Sequence, residues 1–172
     1  MKLNLVAIAA ILALSGCASY TWTSSIPKSM RTVSVPVFRN ESNVTELGSV
    51  VTRQILREFQ REGTFQIRTN GDAALEIQGV IKTVSGHTTG YDRRAGHRLT
   101  SNRMDVEAEV SVVDKRNSKV LIDNKIYNVA VPFTADQDLS SALRDASGRA
   151  AEDLARKVVD EVLSYKEQEE AK

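Results

Sequence analysis

The sequence has one cysteine and three prolines in 172 residues, and it has no apolar run of the roughly 20 residues that a helix needs to cross a bilayer. One cysteine leaves no partner for an internal disulfide, so the core must hold the fold by itself. The 23 basic and 22 acidic residues nearly balance, which does not favour a nucleic-acid partner. The sequence also lacks a glycine-rich phosphate loop, a serine-centred nucleophile elbow and a helix with paired histidines. These absences favour a binding or structural protein over an enzyme.

A short apolar segment, residues 5–14, lies behind Lys2 and ahead of the only cysteine. Its length is typical of the core of a secretory leader. The next residues complete the sequence LSGC at positions 14–17, which resembles the lipobox of bacterial lipoproteins. The resemblance implies that residues 1–16 are a signal peptide and that Cys17 is acylated on its thiol and on its new amino end, which holds a protein stably on a membrane. In such lipoproteins an aspartate after the acylated cysteine retains the protein in the inner membrane, and this chain has Ala18 there. The same resemblance therefore implies the outer membrane, with the protein facing the periplasm.

The rest of the chain divides into a tether, one domain and a tail. Residues 17–30 are mostly polar, with Tyr20 and Trp22 among them, and we interpret them as a tether that follows the acylated cysteine. Residues 31–166 carry regular apolar patterns, and about 155 mature residues are enough for one domain of ordinary size. Residues 167–172 are a charged tail.

Apolar periodicity predicts five strands and two helices in the domain. Residues 31–38 alternate as a strand in which Pro36 indicates an edge or a bulge. Every fourth residue is apolar between Leu47 and Phe59, which predicts a helix that ends at Gly63. Further strands are predicted at residues 64–68, 74–84, 104–112 and 119–130, and a second helix at 138–166. An irregularity is expected near residues 123–124, and residues 85–98 are predicted to be a loop or hairpin tip.

This order of elements predicts an α+β two-layer sandwich. Strands with one apolar face need a cover, and two helices with one apolar stripe each can supply it. We therefore expect both helices on one face of a mainly antiparallel sheet of four to five strands. The other face would be exposed to solvent or would contact a partner. Its predicted side chains are Glu76, Gln78, Lys82, Glu107 and Glu109.

A basic cluster lies in residues 86–104 (GHTTGYDRRAGHRLTSNRM), with Asp92 as its one acidic residue. Its basic side chains are Arg93, Arg94, Arg98 and Arg103, with His87 and His97 between them. Guanidinium groups suit phosphate, so a phosphorylated ligand is one interpretation, and a solvated hairpin tip is the other. Lys82, which precedes this segment, is a further candidate for such contacts. The two histidines have no cysteine or carboxylate set beside them, so no metal site is indicated.

Several segments, in order, resemble the LptE family of lipopolysaccharide-assembly lipoproteins. They are the lipobox, Tyr20, residues 26–42 (IPKSMRTVSVPVFRNES), 56–63 (LREFQREG) and 72–79 (DAALEIQG), Tyr91, and the helix over 143–162. The resemblance implies a lipoprotein that plugs the LptD β-barrel of the outer membrane, helps it assemble and contacts lipopolysaccharide, with no cofactor. It also implies that the basic cluster meets the phosphates of lipid A or the inner core.

Two alternatives remain at this stage. The sequence V-x-V-P-x-F-x-N-x-S at residues 33–42, with the helix and strand that follow, is also similar to lipoproteins that activate peptidoglycan synthases and to lipoproteins of secretion pores. A periplasmic enzyme is the third possibility. The membrane protein that co-purifies with the chain would distinguish these functions.

Overall fold

The computed structural model describes residues 28–69, 72–92, 99–135 and 138–169. After a 3₁₀ turn at Lys28–Met30, the elements are β1 (Thr32–Ser34), β2 (Arg39–Asn40), α1 (Leu47–Glu62), β3 (Gln66–Ile67), β4 (Leu75–Asp92), β5 (Leu99–Asp114), β6 (Lys119–Ala135) and α2 (Leu139–Glu169). Neither helix in these ranges has the length and apolar character of a membrane span.

The strands form one six-stranded sheet in the order β3-β1-β4-β5-β6, with β2 also paired to β4. β4, β5 and β6 are antiparallel neighbours, whereas the short strands β1, β2 and β3 pair in parallel. α1 packs against β2, β3 and β4, α2 packs against β5 and β6, and the two helices contact each other. The predicted α+β sandwich with a mainly antiparallel sheet is therefore confirmed. The predicted first strand, residues 31–38, ends early at Ser34, and the sixth strand, β2, lies just beyond the predicted end, where no strand was expected.

The core lies between the helices and the inner face of the sheet. α1 contributes Val51, Ile55 and Phe59, all fully buried, as its four-residue spacing predicts. Burying one such side chain stabilises the fold by about 1.5–3 kcal/mol. The inner face of the sheet contributes Val33, Ile77, Ile81, Val106, Ala108, Val110, Val112 and Val129, and α2 contributes Ala150, Leu154, Val158 and Val162. Gly63 ends α1 in the left-handed region at φ 81°, where its N–H donates to Phe59 O, as predicted.

The first strand ends early because the chain leaves the sheet around Phe38. Its N–H donates to Thr52 Oγ1 of α1 at 2.9 Å, not to a neighbouring strand. Two glycines make room for this residue: a Cβ at Gly79 would lie 2.1 Å from the Phe38 ring, and one at Gly48 would lie 2.3 Å from the Phe38 carbonyl oxygen. Pro36, which has no N–H to donate, lies in the segment that leaves the sheet. The chain therefore steps out between β1 and β2 so that Phe38 can fill the core.

The hairpin formed by β4 and β5 is longer than predicted, because most of residues 85–98, expected to be a loop or hairpin tip, belong to β4. β4 continues through Asp92 and β5 begins at Leu99, and these two residues are paired, so only 93–98 lie between the strands. The extension has no apolar alternation, because residues 85–92 (SGHTTGYD) are polar or glycine apart from Tyr91. The extension is a strand because its backbone pairs with β5, and its side-chain pattern does not indicate this. β6 likewise runs to Ala135, five residues beyond its predicted end.

The irregularity expected near residues 123–124 is confirmed. Asn124 has φ 42°, and the pairing of β5 with β6 shifts register around Val112. The Asn124 N–H donates to Ser111 Oγ at 3.0 Å, and the Ser111 hydroxyl donates to Asn124 Oδ1 at 2.9 Å. These two hydrogen bonds replace part of the regular ladder at the bulge.

Basic side chains of α2 cover part of the outer edge of β6. Arg149 Nη2 donates to the Pro132 carbonyl at 3.0 Å, and Lys157 Nζ donates to the Asn128 carbonyl at 2.6 Å. Pro132 itself offers no N–H at that edge. An unprotected edge strand can pair with another chain, so these contacts make β6 a poor template for such pairing.

Candidate functional site at the two ends of the sheet

The long strands run between two ends of the molecule. We call the end that holds Met30, Leu75 and the turn of residues 115–118 the entry end, because the described chain begins there. We call the other end, at Asp92 and Leu99, the hairpin end. At roughly 3.3 Å per residue, β4 places these ends about 55 Å apart.

A buried carboxylate fixes the chain at the entry end. The Asp114 side chain is only 2% exposed, and it accepts hydrogen bonds from Arg116 Nε at 3.0 Å and Nη2 at 2.6 Å. The guanidinium also reaches back, with Nη1 donating to Ser29 Oγ at 3.0 Å. The hydrogen bond from Arg116 holds the pKa of Asp114 below its ordinary value of 3.8. The described chain therefore begins beside this ion pair, and Cys17 lies outside the described residues.

The described elements continue slightly beyond both predicted ends of the domain, residues 31 and 166. Met30, expected at the end of the tether, is buried in the core, and Ser29 is held by Arg116. α2 runs on to Glu169, past the start of the expected tail at residue 167.

The hairpin end carries the segment with most of the predicted basic cluster. Arg93, Arg94, Arg98 and His97 lie outside the described residues, but the paired residues on either side, Asp92 and Leu99, place the connection between them at this end. Whether these side chains bind phosphate stays a prediction.

Arg103 lies near the hairpin end on the open face of the sheet. Its guanidinium donates to Asp105 Oδ1 from Nε and from Nη2, both at 2.7 Å. His87 is the strand partner of Arg103, and its Nε2 lies 4.0 Å from Asp105 Oδ2. Asp105 therefore lies beside two basic side chains on the open face, Arg103 and His87.

Lys82 lies at a bulge in β4, between Ile81 and Thr83. Its Nζ is 2.8 Å from Glu41 Oε2, and this hydrogen bond raises the pKa of Lys82 and lowers that of Glu41. Lys82 lies four to five residues from Arg103 in register, or roughly 15 Å. The structure therefore does not bring these two predicted ligand residues into one site.

The open face is polar, as predicted, and holds two shallow depressions. One, of about 420 Å³, lies between Arg103 and Asp105 on one side and Asn128 on the other. The second, of about 400 Å³, lies where the chain steps out between β1 and β2, beside Glu109 and the exposed Val37. Within the described ranges, no group of three histidine, cysteine or acidic residues could hold a metal ion. The open face thus offers a mixed polar surface with at least two depressions.

Two features escaped the sequence analysis. The contact of Arg116 with Ser29 joins residues 87 positions apart, and residues 115–118 indicated only a turn. The contact of Phe38 with Thr52 likewise depends on how α1 lies against the sheet. Buried polar partners of this kind have no periodic signal, although a lone polar Thr52 beside the apolar stripe of α1 was a possible indication.

Solved structures share this two-layer α+β architecture. The chain is similar to a protein from Xanthomonas campestris at 13% identity and TM-score 0.55, covering 86% of this chain and 94% of that one. A homologue of the neuraminyllactose-binding hemagglutinin from Helicobacter pylori gives 12% identity and TM-score 0.54, with 86% and 93% covered. A hypothetical protein from Chlamydia trachomatis gives 12% and 0.51, with 78% and 96% covered. At these identities the likeness shows the fold alone.

The family follows from the sequence itself. The model of the LptE family, described as lipopolysaccharide-assembly, matches residues 30–162, and no curated protein matches the chain significantly. The match begins at Met30 and ends at Val162, which are the first and last buried residues of the core. The chain therefore belongs to the LptE family of lipopolysaccharide assembly.

Proposed function

We propose that this chain is an outer-membrane lipoprotein that plugs the LptD β-barrel, helps it assemble and takes part in lipopolysaccharide transport to the cell surface. The family match over residues 30–162 is the observation that carries this proposal. In this view residues 1–16 are a removed leader, Cys17 is acylated in the periplasm-facing leaflet, and the domain enters the barrel lumen.

The length of the sheet supports a lumenal position. A bilayer with its headgroups is about 40–45 Å thick. The strands from Leu75 to Asp92 span about 55 Å. With the entry end near the inner leaflet, the hairpin end can reach the level of the outer leaflet, where lipopolysaccharide resides.

The surface chemistry also suits a water-lined barrel. Polar and charged side chains cover the open sheet face, and several of them are paired with each other, as Glu76 is with Lys115 at 3.2 Å. Such a face does not need an apolar partner surface that excludes water. An exposed face of this kind can lie against the polar inner wall of a barrel without burying unpaired charge.

The hairpin end is the proposed contact for lipopolysaccharide phosphates. Arg93, Arg94 and Arg98 lie in the connection there, and a guanidinium can hold a phosphate through two hydrogen bonds. Arg103 is the closest described candidate, with one carboxylate shared between it and His87. Lys82, already bound to Glu41 and further toward the entry end, would contribute less.

Purification of the acylated chain in a mild detergent tests the proposal. We expect an LptD-type barrel with bound lipopolysaccharide to come with it. The Cys17→Ser variant serves as a control, because serine cannot form the thioether and this variant should take up no palmitate. A peptidoglycan synthase or a secretion-pore subunit in place of the barrel would overturn the proposal.

A further inference from the structure

A shallow apolar groove opens at the entry end, between the C-terminal part of α2 and the start of β6. It is lined by Met30, Leu75, Val112, Leu121, Ile122, Val162 and Tyr165. The space it encloses is about 20 Å³, which is room for about one water molecule. A larger side chain would therefore lie over the groove and not inside it. Leu121 and Tyr165 are only partly buried, and they form the open wall of the groove.

The described chain begins beside this groove. Met30 is a wall of the groove and also a buried core residue, and Arg116 holds the neighbouring Ser29 at 3.0 Å. The chain that precedes Lys28 therefore starts within a few residues of the groove. Because Met30 is fixed, the preceding residues stay near the groove at high effective concentration, and even a weak contact can be well occupied.

The composition of that preceding chain suits an apolar surface. Residues 18–27 contain Tyr20, Trp22 and Ile26 among polar residues, and Trp22 is the only tryptophan in the sequence. The other chain end near α2, residues 166–172 (KEQEEAK), is almost entirely charged or polar and does not match an apolar groove. An indole ring can lie flat on apolar side chains while its N–H stays in water.

We propose that Trp22 docks on this groove and fastens the tether to its own domain. Trp22 is eight residues from Met30, and eight extended residues reach about 26 Å, so the segment can fold back along the entry end. Docking leaves five residue steps from Cys17 to the fixed point at Trp22, with a reach of about 17 Å, whereas the thirteen steps from Cys17 to Met30 would reach about 43 Å. With Cys17 acylated as proposed above, the docked tether holds the entry end close to the membrane. This inference does not depend on the barrel partnership, because it concerns only contacts within the chain.

The single tryptophan makes the proposal directly measurable. The full chain, purified in detergent, should show Trp22 emission at shorter wavelength than the urea-unfolded chain and weaker quenching by acrylamide. A detergent with brominated tails should not quench it, because the ring lies on protein and not in the micelle. The Tyr165→Ser variant removes one wall of the groove and should shift the emission to longer wavelength and raise acrylamide quenching.

Leu163→Ser is the matched control, since Leu163 is partly buried on the same helix but does not line the groove. This variant should leave Trp22 emission unchanged. Quenching by the brominated detergent, or the same emission in the native chain and in Tyr165→Ser, would overturn the proposal.

A second measurement keeps the test valid if Tyr165→Ser does not fold. A benzophenone amino acid at position 22 of the otherwise native chain should cross-link, on illumination, to peptides that contain Leu121 or Val162. Cross-links only to residues of the hairpin end, or none within the chain, would contradict docking at the groove.

Discussion

Phe38 is the residue on which the junction between the sheet and α1 depends. Its ring fills the space above Gly79, and its buried N–H finds an acceptor only because α1 presents a threonine hydroxyl at that point. Thr52 in turn donates to the Gly48 carbonyl at 2.8 Å, so the hydroxyl satisfies two backbone groups. The position is polar inside the core because the chain leaves the sheet there.

Thr52→Val removes this hydroxyl without changing the shape of the side chain. The Phe38 N–H would then be buried without an acceptor, and we expect a loss of about 1–3 kcal/mol in the free energy of unfolding. Thr52→Ser keeps the hydroxyl and should cost less. Urea unfolding of the three proteins measures the difference, and equal stability of Thr52→Val and the native protein would show that the bond contributes nothing.

Asp114 makes the stability of the entry end depend on pH. Because Arg116 lowers its pKa in the folded state, the stabilisation is complete above the ordinary value of 3.8 and is lost as pH falls through the lower folded pKa. We therefore expect the unfolding free energy to decrease below about pH 4. In Asp114→Asn this part of the pH dependence should disappear. A variant that follows the native pH curve through this range would contradict the account.

The two helices hold the sandwich together through their inner stripes. Leu154 of α2 is fully buried, and an aspartate there would place a charge in the core without a partner. We expect Leu154→Asp to cost about 3 kcal/mol or more, because the apolar contacts are lost as well. Arg144→Asp puts the same carboxylate on the exposed face of the same helix and should change stability by less than about 0.5 kcal/mol. Equal effects of the two substitutions on thermal unfolding would mean that the buried stripe is wrongly assigned.

The elements differ in how much the sequence reveals of them. α1 and the apolar parts of β4, β5 and β6 follow from period alone, because one face of each meets the core. The extension of β4 to Asp92 does not, because its order comes from backbone pairing with β5 and its side chains are polar. The early end of the first strand at Ser34 also could not be predicted, because it depends on the space that two distant glycines leave for Phe38. Pro36 indicated a break, but not its form.

The candidate site was predicted in composition but not in arrangement. The basic residues were evident from the sequence, whereas the pairing of Lys82 with Glu41 and of Arg103 with Asp105 depends on strand register. Strand register also determines that the basic connection and the start of the described chain lie at opposite ends of the sheet. Sequence spacing alone does not give this separation.

At the scale of the whole molecule, the hairpin end should bind lipopolysaccharide through its phosphates. We expect the combined replacement of Arg93, Arg94 and Arg98 by alanine to weaken binding and to leave the fold and the barrel partnership intact. Each well-formed contact with a charged group contributes about 1.5–3 kcal/mol, and less where water screens it. Salt should weaken binding by the native protein more than by the variant.

Intact and dephosphorylated lipid A, compared at two salt concentrations, measure this effect. If the triple variant binds both ligands as the native protein does, the connection is a solvated hairpin tip. The contact would then lie elsewhere on the open face, with Arg103 and Lys82 as the remaining candidates.

Photo-cross-linking in living cells tests most directly whether the two ends of the sheet have different surroundings. A benzophenone amino acid at Thr88, near the hairpin end, should cross-link to lipopolysaccharide and to the barrel. The same group at Asn117, in the turn at the entry end, should cross-link to the barrel or to phospholipid but not to lipopolysaccharide. Lipopolysaccharide attached at Asn117 and absent from Thr88 would contradict the proposed orientation, and no cross-link to a barrel from either position would contradict the proposed function.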